Sequence, residues 1–286
     1  MRIVTRRNFL KLGGGLGLAT GLTGFSGIFY SAGIEPNDIS LEKKTIHLAR
    51  LPARFDGFTI ALLSDLHLYP FTTVELIEKA INLVNAAEPD LVALAGDFVY
   101  TSAGAAFELI PLLERLNPRR GVFGVLGNHD HRIGPKVVSE ALVRGGVELL
   151  TNRGVEIQIG SDSIYLAGID SFLNGVPRPF EAFSARRGDL CSVTVLHEPD
   201  PIANLSDKLP IDLQLSGHSH GGQVRLPFLG PLVLPRLGEI YNLGLYQVGS
   251  AQVYTSRGIG MVGLPLRFNC PPEVTAITLS ASKEPA

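Results

Sequence analysis

The residues best suited to chemistry are two histidines, His218 and His220, set two positions apart in the glycine-flanked stretch Leu215–Gln223, LSGHSHGGQ. Imidazole nitrogen is the commonest metal ligand, and glycines at 217, 221 and 222 let a backbone turn sharply so that both rings can face one cavity. Two such histidines serve equally well as hydrogen-bonding turn residues, so a metal reading depends on partners elsewhere. Further clusters offer them: Asp65-Leu66-His67, Gly96-Asp97, Gly127-Asn128-His129-Asp130 and His197-Glu198. Together they supply carboxylate, amide and imidazole donors. Thiolate is absent from the set, because the only cysteines, Cys191 and Cys270, form no CxxC. Such a donor set suits divalent ions.

Each cluster directly follows an apolar run. Phe58–Leu63 precedes Asp65, Leu91–Ala95 precedes Asp97, Gly121–Leu126 precedes Asn128, Val193–Leu196 precedes His197, and Ile211–Leu215 precedes His218. Short apolar runs bounded by turn residues read as buried strands, and ligand sites in open α/β sheets form at the carboxyl ends of strands. Clusters spread from Asp65 to His220 can therefore converge. Any one of them has an ordinary explanation: Asp65 or Asp97 capping a helix, Asn128 in a left-handed turn, His197 hydrogen-bonded in the core. Their recurrence at one strand tip after another is not explained that way.

Between the runs lie helical patterns. Thr73 can cap a helix whose Leu76, Ile77, Ala80, Ile81 and Val84 share one face. Ala105–Leu116 reads as a helix broken at Pro111, and Pro135 opens another through Lys136–Arg144. Thr45–Ala49 alternates like a strand after a polar link around Glu35–Asn37. Short apolar segments at Val147–Leu150, Val155–Ile159 and Ile164–Ala167 suggest strands of a second sheet, and Val274–Leu279 reads as the last strand.

Residues 1–34 form a segment of their own. Thr5-Arg6-Arg7-Asn8-Phe9-Leu10-Lys11 followed by the glycine-diluted apolar stretch Leu12–Tyr30 resembles a twin-arginine export signal, with retention as a membrane anchor as the alternative because Tyr30 disfavours cleavage after Ala32. Residues 35–56 then read as a linker with a first strand, and 57–286 as the main domain. Charged residues make up 18% and net charge is −2, which gives no general attraction for phosphate backbones and argues against general nucleic-acid binding.

In order, D-x-H, G-D, G-N-H-[DE], H and G-H-x-H are the blocks of the calcineurin-like metallophosphoesterases, and the chain resembles that family from Asp65 to His220. The resemblance implies an α/β (α+β) fold, a four-layer αββα sandwich of two mixed β-sheets flanked by helices. It assigns one divalent ion to Asp65, His67 and His220, a second to Asn128, His197 and His218, and makes Asp97 the bridge. Two ions about 3.5–4 Å apart can each hold a phosphate oxygen and lower the pKa of a shared water to give hydroxide. Manganese is favoured over iron or zinc. His129 would face the substrate as an imidazolium, with Asp130 orienting it.

The tail narrows the resemblance. Gly221–Pro227, Ser256–Gly260 and Leu266–Glu273 resemble a bacterial branch that includes twin-arginine-exported and membrane-associated phosphoesterases, extending the similarity to about 37–279. Arg257, Arg267 and Asn269 are then candidate contacts to substrate phosphate. The implied activity is metal-dependent phosphodiester hydrolysis. Alternatives are a phosphomonoesterase, a pyrophosphatase on a nucleotide-sugar lipid such as UDP-2,3-diacylglucosamine, and a non-catalytic interaction module, which the intact ligand set disfavours. The implied partners are a phosphoester substrate, lipid- or envelope-linked, and the twin-arginine export machinery. The implied location is the extracytoplasmic envelope, with membrane association.

Overall fold

Apolar runs with no polar alternation have no face to offer water, so they become central strands covered on both sides. The computed structural model of the chain describes Gly27 and residues 29–281. Its first sheet combines β1 (Ser40–His47), β2 (Thr59–Leu63), β3 (Leu91–Leu94), β4 (Val122–Gly124), β5 (Val147–Leu149) and the last strand, β14 (Glu273–Ser280), in the order β1-β14-β2-β3-β4-β5. Strands β2 to β5 run parallel, whereas β14 is antiparallel to β2 and parallel to β1.

The second sheet contains β6 (Arg153–Ile159), β7 (Asp162–Gly168), β8 (Ser192–Val195), β9 (Leu213–Ser216), β12 (Gly244–Val248) and β13 (Ala251–Thr255), ordered β12-β13-β9-β8-β7-β6. Its middle strands β7, β8, β9 and β13 are parallel, with antiparallel β6 and β12 at the edges. A small hairpin, β10 (Arg225–Leu226) with β11 (Gly230–Pro231), stands apart from both sheets.

Successive residues of a strand point to opposite faces, and that period sorts the core into layers. Ile60 and Leu62 of β2 meet Leu166, Val193, Leu213 and Tyr254 of the second sheet. Ala61 and Leu63 of the same strand face the helices α1 (Val74–Ala86) and, further along the sheet, α4 (Pro135–Arg144). Beyond the second sheet, Tyr165 and Ala167 pack with Ala182, Ile202 and Leu205, carried by the short helices α5 (Pro179–Ala182) and α6 (Ile202–Leu205). The result is two mixed sheets face to face between helical layers, as the resemblance implies.

Local signals explain the helix boundaries. Thr73 accepts the Leu76 amide at 3.3 Å, capping α1. Pro111 falls where a 3-10 turn, Ala103–Leu109, passes into the short helix α2 (Ile110–Leu113), the predicted break. One further short helix, α3 (Asn128–Ile133), begins at the candidate ligand Asn128.

Two readings of the sequence are corrected. Val147–Leu149 belongs to the first sheet, because the turn at Gly145-Gly146 returns the chain from α4 parallel to β4, whereas the next two segments do join the second sheet. The first strand starts at Ser40, ahead of Thr45 where the alternation signalled it. Within the polar link, Glu35 is buried and accepts the Asn269 and Cys270 amides, which ties the link to the domain. Strands β12 and β13 gave no clear signal.

The export-signal reading falls on residues that, apart from Gly27 and 29–34, lie outside those described, as do residues 282–286. Among the described residues, no helix is long and apolar enough to cross a membrane.

Candidate metal centre

The tips of β2, β3, β4, β8 and β9 bring the clusters together across the two sheets. Asp65, His67, Asp97, His218 and His220 all have left-handed backbone, with φ between 43° and 68°. Non-glycine residues occupy that region at a cost, and such strain concentrates where side chains must be aimed. Glycine is needed between them. A Cβ at Gly217 would lie 1.7 Å from Ser64 Oγ, and one at Gly127 would lie 2.1 Å from Asp97 Oδ1.

Two triads of close donor atoms result, Asp65 with His67 and His220, and Asp97 with His197 and His218. In the first, His67 Nε2 and His220 Nε2 stand 3.2 Å apart, at 3.8 Å and 3.4 Å from Asp65 Oδ1. In the second, His197 Nε2 lies 3.2 Å from Asp97 Oδ2 and 3.1 Å from Asn128 Oδ1. Asp97 joins them, since its Oδ2 is also 3.3 Å from His67 Nε2.

Whether divalent ions suit these residues can be judged from their protons. His197 Nδ1 donates to the Ala95 carbonyl at 2.7 Å and His218 Nε2 to the Arg236 carbonyl at 2.9 Å, so His197 Nε2 and His218 Nδ1 are the ring atoms left to face a bound ion. Such outer hydrogen bonds fix the tautomer of a ligating histidine. His67 Nδ1 and His220 Nδ1 are buried without a hydrogen-bond partner.

Burial pushes His67 down to about 3 despite the pull of Asp97. Burial, helped by the Arg267 charge, takes His220 well below the usual range, and burial with His197 lowers His218. His197 goes the other way, because Asp97 outweighs its burial penalty. Asp97 itself is held well below the usual carboxylate range, its burial outweighed chiefly by His197. Buried imidazole and carboxylate donors converging at hydrogen-bond distances, two of the rings each with a nitrogen that has no partner, are a set that divalent ions can bind. The residues fit.

His129 lines the same cavity, edge-on to His67 with ring centroids 4.8 Å apart and beside Tyr100 at 5.1 Å. Its amide donates to Asp97 Oδ1 at 2.8 Å. Its Nδ1 accepts from the Arg132 guanidinium at 2.6 Å. Burial lowers its pKa; Asp97 opposes that and Arg132 reinforces it. With Nδ1 accepting from Arg132, this arrangement favours a neutral ring over the imidazolium expected from sequence.

Asp130 is also corrected. Its carboxylate does not touch His129 but accepts the amides of Asp97, Phe98, Val99 and Gly127, binding the Asp97 loop to the start of α3. Burial and the Asp97 charge push it up to about 7, against the pull of the Gly127 amide.

The three expected phosphate contacts have other partners. Arg267 is fully buried and donates to the carbonyls of Cys270, Arg257, Gly258 and Gly260. Arg257 pairs with Glu273 and Glu42. Asn269 is exposed, in left-handed backbone, with its amide on Glu35. None of the three lines the cavity.

Several neighbours of the site went unread. His131 pairs with Asp170 at 2.6 Å, and Asn174 Nδ2 donates to the Asn128 carbonyl at 3.0 Å, tying the loop after β7 to α3. Asp170 also follows an apolar strand, so the strand-tip pattern that flagged the other clusters could have found it. Arg132 and Tyr100 carry no such signal.

Fold and site together define a metal-dependent phosphoester hydrolase. The sequence model described as calcineurin-like phosphoesterase matches residues 58–222. The chain is 38% identical over 290 residues to an uncharacterized metallophosphoesterase, YkuE, of Bacillus subtilis (strain 168), covering 99% of this chain and all of that one. It is 32% identical over 281 residues to the phosphodiesterase YaeI of Escherichia coli (strain K12), covering 97% of this chain and all of the other. Among solved structures, TT1561 of Thermus thermophilus shares the fold, with a TM-score of 0.50 at 10% identity over 71% of this chain and 90% of that one. The chain belongs to the calcineurin-like phosphoesterase family.

Chelator-stripped protein should regain divalent ions to two per chain, read by elemental analysis, and melt at higher temperature as they bind. Free metal at a hundredfold its Kd adds about 2.7 kcal/mol of stability per site. A plateau at one ion, or no shift in melting, would contradict the two-site assignment.

Proposed function

We propose that the chain is a phosphodiesterase that works with two manganese ions and is exported by the twin-arginine pathway. The observation that carries the diesterase reading is the placement of the joined triads at one wall of an open cavity of about 470 Å³. A phosphate held at the triads has room there for a second ester arm, which a monoesterase would not need. Similarity to a relative named as a phosphodiesterase supports the same reading.

Asp65, His67 and His220 would hold one ion, and Asn128, His197 and His218 the other, with Asp97 shared. Bound divalent ions neutralise phosphate oxygens and lower the pKa of water. Oxygen and imidazole donors without thiolate are compatible with manganese. In hydrolysis a water oxygen forms the new bond to phosphorus as the bond to the leaving oxygen breaks. The proton released by water balances the one taken up by the leaving group.

His129 is placed to meet the developing charge. The Arg132 guanidinium, which can only donate, fills Nδ1, so the ring proton sits on Nε2. From there it donates a hydrogen bond to the leaving oxygen and keeps its proton, stabilising charge without passing through an imidazolium. Asp130 acts at one remove, setting the Asp97 loop against α3.

The His129→Ala variant should lose about 10²- to 10³-fold in kcat on a chromogenic bis-phosphodiester while retaining two ions per chain. Loss of metal with turnover falling only in proportion would sink this role. For export, Arg6→Lys with Arg7→Lys should leave the protein in the cytoplasm of cells that otherwise export it; unchanged fractionation would rule the twin-arginine reading out.

A further inference from the structure

The cavity beside the triads has a second wall that the hydrolysis of phosphate does not use. Leu173, Leu232, Val233, Pro235, Val262 and Leu264 line it, and among the described residues no lysine or arginine does. Three of these are left substantially open to solvent: Leu232 at 58%, Val233 at 76% and Leu264 at 62%. Exposed aliphatic side chains clustered around a cavity mouth mark a binding surface rather than ordinary surface scatter. The β10–β11 hairpin contributes to this wall through the residues flanking it, Val224 and Leu232, and at its turn Phe228 and Leu229 project into solvent at 108% and 79%.

A single space is lined both by His129, His218, His220 and Asp97 and by this aliphatic wall. A phosphoester seated at the triads therefore lays one substituent against hydrocarbon. A sugar or nucleoside would desolvate hydroxyls there without partners, whereas an alkyl chain gains about 0.8 kcal/mol per buried methylene, about fourfold in affinity. We propose that this wall is a subsite for a hydrocarbon chain, and that the substrates are phosphoesters carrying an alkyl or acyl chain. The proposal rests on the phosphoesterase site described above. The apolar hairpin turn beside the mouth is suited to touching the surface from which such a chain is withdrawn.

The test uses full-length, manganese-loaded protein and a series of n-alkyl phosphates from ethyl to octyl, as competitive inhibitors of chromogenic diester hydrolysis. Inhibition should tighten about two- to fourfold per added methylene until the wall is covered. The double variant Leu232→Asp, Val233→Asp, both at exposed positions, should flatten that dependence, with its melting curve confirming the fold. Affinity independent of chain length in the wild type, or a dependence that survives in the folded double variant, would overturn the subsite. Calorimetric titration of the same alkyl phosphates reads chain dependence without turnover, so failure of the diesterase reading is distinguishable from failure of this one. Where the chain dependence holds, comparing phosphatidylglycerol in vesicles with its monomeric dihexanoyl form separates a membrane-held from a dissolved chain, each faster turnover supporting the subsite and identifying its source.

Discussion

Asp97 is the group on which the rest of the structure depends. One carboxylate oxygen lies within 3.3 Å of an imidazole nitrogen from each triad, and the other accepts the His129 amide. Its position couples three things that are separate in sequence: the first triad, the second triad, and the residue that faces the cavity. Taken out of water, such a carboxylate is strongly disfavoured unless positive charge or hydrogen bonds surround it. The two triads it joins have the donor types and spacing of a cage for cations.

Much of the surrounding structure serves to hold that carboxylate where it is. Asp97 and its neighbours Asp65 and His67 accept left-handed backbone, and Asp130 spends its carboxylate on the amides of the Asp97 loop. The second sheet approaches from the other side, so that Gly217 packs directly on Ser64 and Asp65, and the His218 amide donates to Asp65 at about 3.0 Å. Arg267, buried and bonded to four carbonyls, fixes the tail segment whose Gly260 amide bonds to the Asp65 carbonyl. A site held at the strand tips of two packed sheets is positioned more precisely than one on free loops.

The convergence of the candidate ligands was legible because each announced itself twice, by residue type and by its place at the end of an apolar run. Short apolar segments pointed to a second sheet, but the packing of the two sheets face to face between helices came from the family resemblance. Other features lacked a local signal. Val147–Leu149 reads the same in either sheet, since which sheet a short strand joins is decided by the crossover and not by its own three residues. The role given to Asp130 failed because adjacency along the chain does not set direction in space: on a helix, neighbouring side chains diverge by about 100°. Arginine and phosphate attract in general, but Arg257 and Arg267 already have acidic or carbonyl partners inside the protein, which the sequence does not reveal. The partner that His129 does have, Arg132, lies one helical turn on.

On the proposed assignment, Asp97 lies between two ions, with three further ligands on either side. Anomalous diffraction from crystals grown with manganese tests that arrangement most directly. Two peaks about 3.5–4 Å apart are expected, one against Asp65, His67 and His220, the other against Asn128, His197 and His218, with Asp97 between them. A single peak, or two peaks that Asp97 does not bridge, would contradict it.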